Sequence, residues 1–171
     1  MTLFLHRIGF PDHKHADRIW FYSLGLWYED VDDQVVFNKD NVTAEHWKCR
    51  TLETIMEMLG HSKKPIDVLK FDIDNNEHLI FHQLIMSGVL KYVKQLDFGV
   101  HLDIIPRERK DLILGVYRYM KTAFDEFGFK LWFSNENTYE AEVQNFGRHA
   151  GGRRHNVMEM SWVNTNYLNL E

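Results

Sequence analysis

The chain has 171 residues, 44% hydrophobic and 26% charged, which suits one globular domain and makes two full domains a squeeze. Its 20 basic and 25 acidic residues give a net charge of −5, which argues against a binder of nucleic-acid backbones, since these need a basic surface. The single cysteine, Cys49, excludes an internal disulfide framework.

Residues 19–26, IWFYSLGL, are aromatic and apolar between charged flanks and predict a buried strand. Residues 27–48 hold Glu29, Asp30, Asp32 and Asp33 close together and predict a loop with a short edge strand at 34–37. Thr51 is a helix N-cap; Leu52, Ile55, Met56 and Leu59 give the helix one apolar face, and Gly60 ends it. After Pro65, residues 66–73, IDVLKFDI, form the clearest strand. Asn75 or Asn76 caps the next helix, which runs to about Met86, with Gly88 closing it. Residues 93–102, VKQLDFGVHL, alternate as a strand. Pro106 opens an amphipathic helix whose apolar residues Ile113, Val116, Tyr117, Met120, Phe124 and Phe127 follow the helical period. Residues 129–133 and 157–163 are strands; the polar stretch between them, 134–156, reads as a loop, so the two are expected to pair antiparallel. This alternation predicts an α/β fold with a mostly parallel sheet and an antiparallel C-terminal strand.

Ligands of open α/β sheets bind at the carboxyl ends of the parallel strands. That rule selects Asp72, Asp74 and Glu77 after the 66–73 strand, and His101 and Asp103 at the end of the next. Carboxylates and an imidazole in one group take a proton, orient an acceptor or hold a metal. The competing reading is plain: Asp72 and Asp74 cap a helix and solvate a strand end. His78 and His82 stand four apart on the predicted helix, a spacing found in zinc sites. Leu79 occupies the place of the glutamate of H-E-x-x-H, and chance accounts for one such pair among ten histidines, so no metal ligand is assigned. No glycine builds G-x-G-x-x-G or a P-loop. Gly151-Gly152 precede Arg153-Arg154 in the late loop, where solvated arginines are the common case. Cys49 lies between Lys48 and Arg50, which favours a thiolate, but no histidine is placed by sequence to activate it.

Three segments, WKCRTLETIM at 47–56, LGH at 59–61 and IDVLKFDID at 66–74, resemble the methyltransferase-like proteins related to the FkbM type. Members of that family carry an Arg-Thr-Leu helix start followed by a strand reading Lys-x-Asp-x-Glu-Gly-x-Glu. The resemblance continues through SGVL at 87–90, VKQL at 93–96, VHL at 100–102, FGFKLW at 127–132 and EMSWVN at 159–164, and upstream DRIWFYSLGL at 17–26 resembles the third strand of the family fold. It covers about residues 13–168. The resemblance implies a class I methyltransferase fold, a Rossmann-like seven-stranded sheet binding S-adenosylmethionine through a Gly-rich loop after the first strand and an acid after the second. Both would fall before residue 17, where the sequence shows neither. The expected organisation is therefore an N-terminal segment, 1–16, and a methyltransferase-like domain, 17–171, matching the C-terminal part of the fold. In the family motif Lys70, Asp72 and Glu77 match, Asp74 replaces Glu, Asn75 replaces Gly and His78 replaces an aromatic; Gly99 replaces the Glu of a Glu-Val-His strand ending at His101.

The function so implied is S-adenosylmethionine-dependent methyl transfer to a small-molecule or protein acceptor, in a truncated or degenerate domain, with Asp72, Asp74, Glu77 and His101 as catalytic candidates and no assignable cofactor-binding residues. Tight binding of S-adenosylmethionine and stabilisation by zinc are not expected. Two other classes compete. One is a non-catalytic interaction module that self-associates through a 19–26 sheet edge. The other is a metal-dependent hydrolase built on Asp72, Asp74, His78, His82 and His101. No stretch of about 20 apolar residues exists to span a bilayer, and residues 1–10 do not form a signal peptide, so the expected location is the cytoplasm by default.

Overall fold

The computed structural model describes residues 2–4, 11–37, 44–73, 77–101, 110–136, 143–145, 153–155 and 157–168. Strands β1 (Thr2–Phe4), β2 (His13–Ala16) and β3 (Ile19–Phe21) form a small sheet in the order β1-β3-β2. Strands β4 (Gly25–Leu26), β5 (Val31–Phe37) and β6 (Ala44–Arg50) form a second, ordered β4-β6-β5. The expected buried strand at 19–26 is thus two short strands in different sheets. The break has a local cause. The Ser23 N–H donates to the Asp12 carboxylate at 2.7 Å and the Leu24 N–H to the Tyr22 carbonyl at 2.8 Å, which turns the chain. Leu24 and Leu26 enter the core while Trp20 stays 41% exposed. Nor is β3 a free edge, because β1 lies parallel on one side and β2 antiparallel on the other.

The acidic stretch expected to be mostly loop carries an antiparallel β5–β6 pair. Its charges occupy the exposed side: Asp32 pairs with Arg50, and Asp33 meets His46 at 2.5 Å. Helix α1 (Leu52–Met58) follows, with the Thr51 hydroxyl accepting the Thr54 N–H and Leu52, Ile55 and Met56 buried. It ends at Gly60, whose φ of 66° lies in the left-handed region that glycine adopts without strain.

The main sheet is built from β7 (Ile66–Phe71), helix α2 (Glu77–Ser87), β8 (Val93–His101), helix α3 (Lys110–Glu126) and β9 (Phe129–Glu136). The expected 134–156 loop contains a separate antiparallel pair, β10 (Val143–Asn145) with β11 (Arg153–His155), before β12 (Val157–Asn164). The order is β7-β8-β12-β9. β7 and β8 are parallel, and β12 is antiparallel to both β8 and β9. The expected mostly parallel sheet is therefore a mixed one. β12 inserts between β8 and β9, so the crossover through α3 links strands that do not touch. The expected cap residues Asn75 and Asn76, and Pro106, lie outside the described residues.

One sheet face forms the core. Leu69, Phe71, Leu96, Phe98, Met160 and Trp162 pack with Ile80, Phe81 and Leu84 of α2 and Met120 and Phe124 of α3. The rings meet edge to face, Phe81 on Phe98 at 4.3 Å and Phe124 on Trp162 at 5.0 Å, which adds roughly 0.5–1.5 kcal/mol per pair beyond burial. Tyr117, expected on the apolar face of α3, is exposed. Among the described residues no helix is long and apolar enough to cross a membrane.

Candidate functional site

β7 and β8 run parallel with Phe71 beside Phe98, so their carboxyl ends open at the same edge. Asp72 is the first residue after β7, and His101 is the last residue of β8. Helix α2 begins at this edge with Glu77. The β-α-β crossover thus brings an acid from the strand end, an acid from the helix start and an imidazole from the next strand into one corner.

Glu77 and His101 are nearly withdrawn from water, with side chains 5% and 7% exposed, and Nδ1 of His101 lies 2.6 Å from Oε1 of Glu77. A buried carboxylate requires a partner, and the imidazole supplies it. A proton on Nδ1 would donate to Oε1 of Glu77, which makes Nε2 the ring's second polar atom. Nε2 lies 3.8 Å from Oδ1 of Asp72, whose side chain is 43% exposed and gives the corner its access to solvent. A Cβ on Gly99 would sit 3.1 Å from Oδ1 of Asp72 and 3.5 Å from Cε1 of His101, so a side chain here would crowd the acid, and glycine lets Asp72 pack close over β8.

The other candidates divide plainly. Asp74 and Asp103 lie outside the described residues. His78 and His82 are exposed on α2, and His82 stacks on Tyr119 at 6.5 Å between centroids. The metal-competent group among the described residues is Asp72, Glu77 and His101, and it includes neither. Cys49 is buried; burial pushes its thiol up and Arg50 only partly opposes this, which disfavours a nucleophile. The Arg50 guanidinium is occupied by Asp32 and by the carbonyls of Val31 and Cys49 at 3.0 and 2.7 Å. Arg153 and Arg154 belong to β11, opposite Asn145 and Gln144.

A shallow cleft joins segments that are distant in sequence. Tyr28 meets Leu79, His82, Gln83, Met86 and Ser87 of α2 around a shallow cleft of about 420 Å³. Tyr28 and α2 are far apart in sequence, so no local pattern joins them.

The chain is similar to two curated proteins. It is 27% identical over 155 residues to the probable methyltransferase-like protein 24 of Homo sapiens and 26% identical over 155 residues to that of Rattus norvegicus. Each match covers 89% of this chain and 40% of the relative, so the chain spans about 40% of the length of the curated relatives it matches. No family model matches, and no solved structure matches. The comparisons support distant homology to a methyltransferase-like protein.

Proposed function

We propose that this chain is an FkbM-related methyltransferase-type domain and that the corner formed by Asp72, Glu77 and His101 is the acceptor side of its site. S-adenosylmethionine is the methyl donor that such homology implies in general. The described residues do not fit a grip on that cofactor. Positive-φ glycines 60, 88 and 128 follow helices, and none forms a Gly-rich turn between a strand and a helix. What the described residues do fit is an acceptor: Asp72 and His101 give the corner polar groups, and the part-exposed Asp72 opens it to solvent.

The observation that carries the reading is the buried Glu77–His101 pair at the carboxyl end of adjacent parallel strands. Methylation of a hydroxyl or amine requires that the attacking atom lose its proton. Nε2 of His101 takes that proton, Glu77 stabilises the imidazolium through Nδ1, and Asp72 orients the acceptor by accepting its hydrogen bond. A correctly placed base of this kind contributes about 10²–10⁴-fold.

The test is transfer of labelled methyl from S-adenosylmethionine into pooled small-molecule and protein acceptors. Transfer by the wild-type chain that falls at least 100-fold in His101→Gln, with weaker loss in Asp72→Asn, supports the reading. Transfer unchanged in both variants, or none at all from the wild type, overturns it.

A further inference from the structure

Gly99 sits inside β8, where glycine weakens a strand, since it offers no side chain to pack and gives up the most backbone freedom. Backbone geometry does not call for it: the positive-φ glycines among the described residues are 60, 88 and 128, and Gly99 pairs in register with Glu159 of β12. The contact with Asp72 does. A Cβ built on Gly99 would lie 3.1 Å from Oδ1 and 3.4 Å from Cγ of Asp72, inside the separation of about 3.5–4.0 Å at which such atoms rest. The same Cβ would meet Cε1 of His101 at 3.5 Å, an ordinary contact. A side chain at position 99 therefore displaces the acid and leaves the imidazole where it is.

Displacement matters because burial does not fix Asp72. It is the first residue after β7 and its side chain is 43% exposed, so its carboxylate gains hydration by swinging outward. Packing over Gly99 instead keeps Oδ1 3.8 Å from Nε2 of His101, two residues further along the same face of β8. Glu77 holds the other side of the ring, with Oε1 2.6 Å from Nδ1. The imidazole thus stands between a buried acid supplied by α2 and a solvent-facing acid seated over a bare strand position.

We propose that Gly99 is a positioning residue of this corner: its lack of a side chain sets the Asp72 carboxylate beside Nε2 of His101. Gly99 acts through Asp72 and has no part in the chemistry itself. Its consequence for catalysis rests on the methyl-transfer reading, in which Asp72 orients the acceptor; the placement of Asp72 does not. Orientation is sensitive to small shifts, since a misplacement of about 1 Å costs about 100-fold in rate.

The experiment compares the full chain with Gly99→Ala, Asp72→Asn and the double variant, in the absence of any methyl donor. The readout is the NMR signal of Nε2 of His101 in isotope-labelled protein at fixed pH, assigned by its loss in His101→Gln. Asp72→Asn removes the neighbouring charge and moves that signal. Gly99→Ala is expected to move it the same way by a smaller amount, and to add almost nothing in the Asp72→Asn background. No movement in Gly99→Ala, or the same movement in both backgrounds, overturns the proposal. The melting temperature is a second readout: Gly99→Ala lowers it in the wild type, and less in Asp72→Ala, where the crowded acid is gone. If Gly99→Ala alone fails to fold, folding of the variant that carries Gly99→Ala with Asp72→Ala upholds the contact, and failure of both overturns it. In turnover, Gly99→Ala lowers kcat about tenfold with KM little changed. A moved His101 signal without methyl transfer by the wild type upholds this proposal and sinks the functional reading; methyl transfer with an unmoved signal does the reverse.

Discussion

The four-stranded sheet with α2 and α3 and the region from Pro11 to Met58 are held in different ways. In the sheet, interlocking rings do the work: Phe81, Phe98, Phe124 and Phe129 are fully buried, with Trp162 nearly so. In the N-terminal region carboxylates fasten the chain at its turns. Asp12 accepts the Ser23 N–H, Asp30 accepts the Thr51 N–H and the Thr54 hydroxyl, each at 2.8 Å, and Asp32 grips Arg50. Apolar burial is non-directional and indifferent to pH, while carboxylate fastening is directional and titrates. The N-terminal region shares the core through Leu24, Leu26, Leu52, Ile55 and Met56, so its carboxylates add a pH-sensitive part to a common apolar hold.

Phe124→Ala breaks that contrast hardest. Phe124 touches Phe81, Phe98, Phe129 and Trp162, so truncation is expected to cost about 3–5 kcal/mol, read from the denaturant midpoint. Next is Gly25→Ala, which places a Cβ 2.8 Å from Sγ of Cys49 on the paired strand. It is expected to cost about 1–3 kcal/mol, and much less in a Cys49→Ala background, so a double-mutant cycle on the two positions checks it.

Asp30→Ala removes an anchor of α1 and is expected to cost about 1 kcal/mol. Its pH dependence sharpens the comparison. Burial pushes the Asp30 carboxyl up, but the hydrogen bonds from Thr51 and Thr54 and the charge of Arg50 outweigh it and hold the group below its ordinary value. A depressed folded pKa means stability that is present above the unfolded value and is lost as pH falls through the folded one. The wild-type advantage over Asp30→Ala in acid melts thus shrinks below about pH 4. The smallest effect belongs to Asp125, held down to about 2 by hydrogen bonds from Lys121 and Lys130. Its pairs are at the surface, so Asp125→Asn changes the midpoint only slightly, and that difference fades between about pH 4 and pH 2.

The same contrast explains what the sequence made legible. The strands of the main sheet show in IDVLKFDI and VKQLDFGVHL because core packing imposes a hydrophobic pattern, and Thr51 shows as a cap because its geometry is local. The split within residues 19–26 does not show, because it depends on Asp12, eleven residues from Ser23. The β5–β6 pair is hidden by acids that read as loop. The insertion of β12 beside β8 is a choice among sheet partners that no window of residues records. At the site, the strand-end rule alone brings Asp72 and His101 to one edge. The Glu77–Nδ1 bond depends on where α2 starts, and the close packing of Asp72 over Gly99 shows in sequence only as an exchanged family residue.

The place of β12 also sets an order of assembly. β8 and β9 meet through it alone, pairing His101 with Val157 on one side and Glu136 with Met158 on the other. A nascent chain that has made β7, β8 and β9 still lacks the strand that joins them, so its aromatic layer has no closed sheet to rest on. Contacts of such long sequence separation are slow to form, and until then two strand edges stand open to aggregation. A ribosome-stalled chain ending before residue 157 should remain protease-sensitive, whereas one carried past residue 168 and clear of the exit tunnel should turn resistant in a single step.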